Sequence, residues 1–291
     1  MYDVIIIGKG PAGISTALYT VRANLKTLIV AKNESNLLKA SIIENYFGFE
    51  QPISGKELIE QGMKQAERLG TQIIEEEVVS ITHEENFEVL TSEGIYISKA
   101  VLIATGQSQK KLKIINLQKF EGKGLSYCTT CDGFFYKNLK VGVIGNKDFA
   151  IHEAAELEAF TTDITIYTNG KPLELTDKFL QFKDRFKVNT NKVIEFNGQD
   201  FLEKICFEDG TCEAIDGIFI ANETASSIDF ARKLGVLIRG NDIIVDENQK
   251  TNMGGLFAAG DCTGGFKQIS IAVGQGAMAG KNIIGFVRNT Q

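Results

Sequence analysis

The most constraining feature of the sequence is a glycine-rich segment close to the amino terminus. Residues 4–7 are apolar, the segment Gly8-Lys9-Gly10-Pro11-Ala12-Gly13 follows, and residues 14–23 continue as a helical pattern. In this strand–turn–helix context the GxGxxG spacing is typical of a dinucleotide-binding βαβ unit. The glycines allow a tight turn, close approach of a pyrophosphate and close helix–strand packing, and the helix amino terminus offers N–H groups to phosphates. The segment predicts nucleotide binding.

A second strand–turn–helix pattern begins at residues 140–145 and continues through residues 150–159. A chain of 291 residues has room for two domains. The predicted fold class is therefore α/β, with two Rossmann-like (three-layer ββα) domains. Further expected elements are an amphipathic helix at residues 54–69, a hairpin turn at Asp209-Gly210 and a closing helix from about residue 270 to residue 287.

The pair Cys128 and Cys131 is the clearest sign of chemistry. A two-residue spacer lets two sulfur atoms reach bonding distance, so the pair can cycle between dithiol and disulfide. A zinc half-site is the alternative, but it needs two further ligands at suitable spacing, and we predict no metal. Asp132 follows directly and either exchanges a proton with a leaving thiolate or only caps a helix or turn.

The remaining cysteines and the two histidines carry no such pattern. We interpret Cys206, Cys212 and Cys262 as small packing residues, and His83 and His152 as structural residues. Five cysteines, an odd and mostly scattered set, argue against a secreted disulfide framework and favour a reducing cytoplasm.

Charge and hydropathy exclude several classes of partner. A formal net charge of −6 does not favour nucleic-acid binding. The sequence shows neither a secretory signal nor an apolar run of the roughly 18 residues that a membrane span needs, so we expect a cytoplasmic protein. One local basic cluster is either a solvated linker or a docking patch for an acidic protein. Its members are Lys110, Lys111, Lys113, Lys119 and Lys123.

These motifs together resemble the low-molecular-weight thioredoxin reductases over essentially the full chain. The resemblance implies a discontinuous FAD domain, residues 1–109 and 241–291, with the inserted domain 110–240 carrying the cysteine pair. It implies thioredoxin as substrate and a homodimer. The implied FAD-binding residues are Gly8, Gly10, Pro11, Ala12 and Gly13 at the pyrophosphate; Asn36, Leu37, Asn45, Ala104, Thr105 and Gly106 on the flavin side; Gly260 and Asp261 along the ribityl chain; and Lys267, Gln268 and Ile269 by the isoalloxazine.

The same resemblance implies the order of electron transfer. Reduced flavin would reduce the disulfide, with Cys131 facing the flavin, Cys128 attacking the target disulfide and Asp132 donating the proton.

The inserted domain departs from the family where a nicotinamide cofactor should bind. In the second fingerprint, residues 145–150, Lys147 stands where the close-approach glycine belongs, and its side chain should obstruct a pyrophosphate. Residues 168–172 lack the basic cluster that holds the 2′-phosphate of NADPH, and residues 220–224 lack the usual glycine- and proline-containing turn. NADPH is therefore not the expected donor.

A smaller departure affects the FAD domain. The acid that normally ends the second strand and binds the adenosine ribose is replaced by Ala31, followed by Lys32. Another group must hold that end of FAD.

One branch of the family shares the missing NADPH motifs, namely the ferredoxin-dependent flavin thioredoxin reductases. We therefore expect reduced ferredoxin as donor, FAD as cofactor and thioredoxin as acceptor. Two alternatives stay open at this point: an NADPH-dependent reductase with an unorthodox nucleotide site, and a flavin redox sensor that turns over no substrate.

Overall fold

The computed structural model describes residues 1–32, 35–107 and 112–290. The chain divides into two compact units, one of Met1–Ser108 with Ser226–Gln291 and one of Gln109–Ala225. No helix of the described residues is both long and apolar enough to cross a membrane.

The secondary structure alternates strands and helices along most of the chain. In chain order the elements are β1 (Tyr2–Ile7), α1 (Pro11–Arg22), β2 (Thr27–Val30), a 3₁₀ turn (Asn36–Lys39), α2 (Gly55–Arg68), β3 (Gln72–Ile74), β4 (Val78–His83), β5 (Phe87–Thr91), β6 (Ile95–Ile103), a 3₁₀ turn (Gln118–Phe120), β7 (Leu125–Ser126), α3 (Thr129–Asp132), a 3₁₀ turn (Gly133–Tyr136), β8 (Val141–Ile144), α4 (Asp148–Leu157), β9 (Ile164–Tyr167), α5 (Asp177–Leu180), a 3₁₀ turn (Lys183–Arg185), β10 (Lys187–Asn189), β11 (Val193–Asn197), β12 (Lys204–Phe207), β13 (Cys212–Ala214), β14 (Gly217–Ile220), α6 (Ser227–Lys233), β15 (Ile238–Arg239), β16 (Asp242–Ile243), β17 (Leu256–Ala258), a 3₁₀ turn (Asp261–Thr263) and α7 (Ile269–Asn289).

The first unit is built on one mixed sheet. Its strand order is β3-β2-β1-β6-β5-β4, and β17 also pairs with β6. The strands β3, β2, β1, β6 and β17 are parallel, whereas β5 and β4 join as an antiparallel meander. The carboxyl ends of β1, β6 and β17 are apolar and buried. Because these three strands run parallel, the loops that follow them leave the sheet at the same edge.

Helices α1 and α7 pack together with very little space between their backbones. A Cβ atom on Gly276 would lie 2.2 Å from the carbonyl oxygen of Ala12. The Ser15 and Thr16 hydroxyl groups of α1 donate hydrogen bonds to backbone carbonyls of α7, at Val273 and Gly276, over 2.8 Å in both cases. This close crossing fixes the start of α1, and with it the glycine-rich loop.

The predicted helices and hairpin are confirmed. Helix α2 begins after Ser54, whose hydroxyl accepts from the Glu57 N–H while the Glu57 carboxylate accepts from the Ser54 N–H, a capping box. The closing helix is α7, and β12 pairs antiparallel with β13 across the Asp209-Gly210 turn.

The second unit contains a parallel sheet and a smaller antiparallel one. The parallel sheet has the order β10-β9-β8-β14-β7, and β11, β12 and β13 form the antiparallel sheet among the described residues. The segment β8-α4-β9 is the second βαβ start that the sequence predicts. Both units are thus α/β, as expected.

The second boundary of this unit lies at residues 225/226, whereas the family resemblance places it at 240/241. The intervening helix α6 packs against β15, β16 and β4, all of which belong to the first unit. The contacts of α6 therefore assign residues 226–240 to the unit that contains the first fingerprint.

Candidate active site

Cys128 and Cys131 form a disulfide bond, with the two Cα atoms 5.3 Å apart. Cys128 caps the short helix α3, and the Cys131 N–H donates a hydrogen bond to the Cys128 sulfur over 3.1 Å. Cys128 is only 4% exposed, whereas Cys131 lies at the surface. A hydrogen bond to the sulfur stabilises its thiolate form, so the geometry suits a pair that opens and closes.

Asp132 is held by a residue that the sequence did not single out. The Ser126 hydroxyl, at the end of β7, donates to the Asp132 carboxylate over 2.6 Å. The same oxygen accepts a hydrogen bond from the Cys128 N–H over 3.0 Å. Ser126 thus fixes the carboxylate and the first cysteine relative to each other. Burial, and secondly the charge of Asp132, raise the pKa of the nearby Tyr136.

A cluster on helix α4 holds the other side of the disulfide motif. The Thr129 hydroxyl lies 2.7 Å from a carboxylate oxygen of the buried Glu153 and 2.6 Å from one of Glu156. His152 lies beside Glu156, with 3.1 Å between Nε2 and the nearer carboxylate oxygen. The side-chain ligand atoms of these three α4 residues lie within 4.8 Å of one another. Sequence spacing at i, i+1 and i+4 on one helix could have identified this group, which links α3 to α4.

The first fingerprint loop has the shape that a dinucleotide needs. Gly8 has a φ of +112°, and a Cβ atom there would lie 2.3 Å from the Ala104 carbonyl oxygen. A Cβ atom on Gly13 would lie 2.0 Å from the Gly8 carbonyl oxygen. A Cβ atom on Gly10, in contrast, would meet no atom within 4 Å. Gly8 and Gly13 therefore serve the fold, while Gly10 leaves open space, so the loop fits a bound pyrophosphate.

The other predicted flavin residues lie in the same unit. Ala104 to Gly106 follow β6, and Gly260 and Asp261 follow β17, so both loops leave the carboxyl edge of the sheet beside the fingerprint. A Cβ atom on Gly260 would lie 3.1 Å from the Cβ of Ala12, which brings the loop after β17 against the first turn of α1. Leu37 lies in the 3₁₀ turn, and its carbonyl packs against Gly55; the Asn36 side chain lies outside the described residues.

Two hydrogen bonds gather the residues expected at the isoalloxazine. The Asn45 amide donates to the Gln268 side chain over 3.0 Å, at the start of α7 where Ile269 is the first residue. The Lys267 ammonium donates a hydrogen bond to the side chain of Gln107, the residue that follows Gly106. The sequence did not indicate Gln275, whose side chain accepts a hydrogen bond from the Gly260 N–H over 2.8 Å.

The second fingerprint is occupied by charged side chains of the chain itself. Lys147 forms an ion pair with Glu223 over 3.4 Å, and Lys171 bonds the same carboxylate. At the amino terminus of α4 the buried Asp148 accepts hydrogen bonds from the Thr176 N–H and hydroxyl, over 2.9 and 2.8 Å. The Asp148 carboxylate therefore already interacts with the positive end of the α4 helix dipole.

The interpretation of Cys206 and Cys212 as packing residues is wrong. They face each other in the register of β12 and β13 and form a second disulfide, with 4.1 Å between their Cα atoms. The sequence separation of six hid this, because only hairpin pairing brings the two together. Cys262 is fully buried, and burial raises the pKa of its thiol to about 12, so it remains a packing residue as expected.

The basic cluster is described only in part. Lys110 and Lys111 lie outside the described residues, whereas Lys113, Lys119 and Lys123 are all exposed. The Lys119 ammonium donates to the Gly198 carbonyl over 3.0 Å and lies 4.8 Å from the centre of the Phe120 ring.

Comparison with known proteins identifies consistent relatives. The family model for pyridine nucleotide-disulphide oxidoreductases matches residues 2–276. A thioredoxin reductase of Listeria innocua is 33% identical over 97% of this chain and 92% of its own length. Among solved structures, the atypical thioredoxin reductase TRi of Desulfovibrio vulgaris Hildenborough matches with a TM-score of 0.95 at 41% identity, covering 99% of both chains. A ferredoxin-flavin thioredoxin reductase of Clostridium acetobutylicum matches with a TM-score of 0.70 at 28% identity, covering 99% of this chain and 98% of its own.

Proposed function

The chain belongs to the pyridine nucleotide-disulphide oxidoreductase family, and on that premise we propose that it is a flavin-dependent thioredoxin reductase that takes electrons from reduced ferredoxin. The observation that supports the choice of donor is the second fingerprint, where Lys147 and Lys171 form ion pairs with Glu223 at the position proposed for a nicotinamide dinucleotide in other members of the family. The disulfide between Cys128 and Cys131 supplies the reaction centre.

FAD is the cofactor expected of the family, and the first unit offers the residues to hold it. The open space at Gly10 and the amino terminus of α1 would take the pyrophosphate. Bound there, FAD would take up electrons and deliver them as a pair to the disulfide. The remaining FAD contacts are proposed for Gly8, Pro11, Ala12, Gly13, Asn36, Leu37, Asn45, Ala104, Thr105, Gly106, Gly260, Asp261, Lys267, Gln268 and Ile269.

The reduced pair would then act on thioredoxin by thiol–disulfide exchange. The Cys128 thiolate attacks one sulfur of the thioredoxin disulfide and forms a mixed disulfide, and the other thioredoxin sulfur leaves as a thiolate. Asp132, oriented by Ser126, would donate the proton to that leaving thiolate. The Cys131 thiolate next attacks the Cys128 sulfur and restores the Cys128–Cys131 disulfide. The thioredoxin sulfur that was bound to Cys128 leaves as a thiolate and takes a proton from solvent, so thioredoxin is released as a dithiol.

The proposed role of Cys128 as the attacking thiol requires its sulfur to be accessible to thioredoxin. In the oxidised structure Cys128 is buried and Cys131 is exposed, so Cys128 must become accessible once the disulfide opens. Trapping tests the order directly. A thioredoxin that carries an activated mixed disulfide at its exposed cysteine should be captured by the Cys131→Ser variant through Cys128, and not by Cys128→Ser. The reverse pattern would exchange the two roles.

Both the space and the charge at the second fingerprint disfavour NADPH. A pyrophosphate at the second fingerprint would have to displace Lys147 from its ion pair and bring two negative charges next to Glu223 and Asp148. Nothing comparable to an arginine cluster follows β9, where residues 168–170 are Thr, Asn and Gly. The similarity to the ferredoxin-flavin thioredoxin reductase of Clostridium acetobutylicum supports the same choice.

Ferredoxins are acidic, which gives the exposed lysines a proposed role. Replacing Lys113, Lys119 and Lys123 by Glu should raise the KM for ferredoxin about tenfold at low salt, and the difference should vanish at high salt. The control replaces three other exposed lysines, Lys183, Lys204 and Lys250, by Glu. Equal effects in both triple variants would leave the cluster without a specific role.

Steady-state turnover tests the proposal as a whole. Under anaerobic conditions, reduced ferredoxin and oxidised thioredoxin should yield thioredoxin thiols continuously with the FAD-loaded wild-type chain. Either Cys128→Ser or Cys131→Ser should abolish turnover. No thiol formation by wild-type protein at full FAD occupancy would contradict the proposal.

Light scattering of the same sample tests the homodimer that the family resemblance implies.

The second candidate is an NADPH-dependent reductase with an atypical nucleotide site. The name of the family and the 33% identity to the Listeria innocua thioredoxin reductase favour it. It predicts turnover with NADPH in the absence of ferredoxin, which the same assay measures.

A further inference from the structure

The end of β2 lacks the group that dinucleotide-binding folds usually place there. A carboxylate after the second strand normally accepts hydrogen bonds from ribose hydroxyl groups. Here Ala31 follows β2, and its side chain is apolar and buried. Lys32, the next residue, forms an ion pair with Glu77. The adenosine ribose of FAD therefore has no carboxylate partner on β2.

The neighbouring strand β3 brings a carboxylate to the same edge. Strand β3 pairs in parallel with β2, with Val30 opposite Ile74, and the Ala31 N–H donates to the Ile74 carbonyl over 3.2 Å. Glu75 follows Ile74, so it leaves β3 where Ala31 leaves β2. Adjacent strands lie about 4.8 Å apart, a distance that a glutamate side chain can span.

An ion pair directs Glu75 toward the fingerprint loop. The Lys9 ammonium lies 2.7 Å from a carboxylate oxygen of Glu75, and Lys9 stands between the first two glycines of the fingerprint. Lys9 is 4% exposed, while the Glu75 side chain keeps 59% of its surface exposed. Lys9 thus holds the ion pair from the buried side, and the Glu75 carboxylate remains accessible to a ligand.

The two acids that follow Glu75 are engaged elsewhere. Glu76 accepts hydrogen bonds from the Thr91 hydroxyl and from the Tyr96 hydroxyl, the latter over 2.7 Å. Burial, and secondly this hydrogen bond, raise the pKa of Tyr96 to about 12. Glu77 pairs with Lys32. Of the three successive acids, Glu75 forms the ion pair with Lys9 of the fingerprint.

We propose that Glu75, oriented by Lys9, replaces the missing β2 carboxylate and accepts hydrogen bonds from the adenosine ribose of FAD. The inference rests on the proposed function only in taking FAD as the cofactor. It assigns the adenosine end of the site to an ion pair between the fingerprint loop and β3, where the family pattern has a single acid on β2.

Flavin-binding titrations of the apoprotein separate the two ends of the cofactor. FAD and FMN share the flavin end, but FMN has no adenosine, so quenching of flavin fluorescence is followed with both. Glu75→Gln should raise the Kd for FAD about tenfold to a hundredfold, as expected for hydrogen bonds to a charged group, and leave the Kd for FMN unchanged. Lys9→Met should shift the FAD Kd in the same direction by less. The control is Glu85→Gln, an exposed acid in the turn after β4.

Each outcome decides a different point. An unchanged FAD Kd in Glu75→Gln, or equal losses for FAD and FMN, overturns the inference. If Glu75→Gln does not fold, Glu75→Asp, which shortens the reach by one methylene group, takes its place with the same expected selectivity. Failure of the wild-type apoprotein to bind FAD would contradict the proposed function itself. If the wild-type apoprotein binds FAD and Glu75→Gln binds it equally well, only the assignment of Glu75 is contradicted.

Discussion

The two fingerprint loops of the molecule share their first glycine but differ at the position of the second. A Cβ atom on Gly8 would lie 2.3 Å from the Ala104 carbonyl oxygen, and one on Gly145 would lie 2.1 Å from the Ala221 carbonyl oxygen. The first glycine is thus required in both loops for packing of the chain on itself. The position of the second motif glycine is occupied by Gly10 in the first loop and by Lys147 in the second.

The difference separates what a glycine does for a fold from what it does for a ligand. Gly10 borders open space, so only a ligand needs it to be small. Where no dinucleotide has to approach, the same position can carry a lysine, and Lys147 pairs with Glu223 instead. The second unit keeps the βαβ start while offering its chemistry through Cys128 and Cys131.

The largest effect is expected from making the first loop resemble the second. Gly10→Lys places a long cationic side chain in the proposed pyrophosphate site and should lower FAD affinity at least a hundredfold, with little change in thermal stability. Flavin fluorescence and thermal melting measure the two quantities. Gly285→Lys is the control, because Gly285 is an exposed helical position where a Cβ would also meet no atom within 4 Å. Full FAD affinity in Gly10→Lys would refute the assignment of this loop.

The converse substitution introduces the missing glycine into the second fingerprint loop. Lys147→Gly removes the obstructing side chain but leaves Glu223, Lys171 and Asp148 in place. We expect weak flavin reduction by NADH and NADPH alike, below a hundredth of the ferredoxin rate, because no basic cluster recognises the 2′-phosphate. Anaerobic stopped-flow absorbance measures it. A strong preference for NADPH over NADH would mean that a phosphate site exists in this unit.

The second disulfide should contribute to stability and not to turnover. Replacing both Cys206 and Cys212 by Ser opens a short loop and should lower the free energy of unfolding by about 2 kcal/mol. Denaturant titration measures this loss, and ferredoxin-linked turnover should stay unchanged. Thiol labelling of the native oxidised chain should detect no reactive cysteine at pH 8, since burial keeps the Cys262 thiol protonated. A labelled Cys212 in that sample would contradict the pairing.

The smallest effect is expected at Ser126. Ser126→Ala removes the hydrogen bond to Asp132 and should lower kcat about threefold to tenfold without changing the KM for thioredoxin, since the cysteines themselves remain. Ser92→Ala, which removes a hydroxyl bonded to the Glu77 N–H in the other unit, is the control. A raised KM with unchanged kcat would show that Ser126 shapes the docking surface instead.

Much of the fold could be predicted because its signals are local. The fingerprint, the α2 capping residues Ser54 and Glu57, and the alternation of apolar runs with glycine turns all lie within short windows. The redox pair is equally local, since two residues separate Cys128 from Cys131. Contacts between distant segments could not be predicted in this way.

The missed features depend on pairing across the chain. The Cys206–Cys212 disulfide requires the register of β12 with β13, and the Lys9–Glu75 ion pair joins residues that β3 brings next to β2. Helix α6 belongs to the first unit through its packing, a contact that leaves no motif in the sequence. Long-range geometry, not composition, decides these points.

Anaerobic titration of the FAD-loaded protein, followed by flavin absorbance near 450 nm, distinguishes ferredoxin from a nicotinamide dinucleotide as the electron donor. We expect no bleaching of the flavin by NADPH or NADH, and then stoichiometric bleaching when reduced ferredoxin is added to the same sample. Rapid stoichiometric bleaching by NADPH would contradict this expectation, because the ion pairs of Lys147 with Glu223 would then not exclude a nicotinamide dinucleotide.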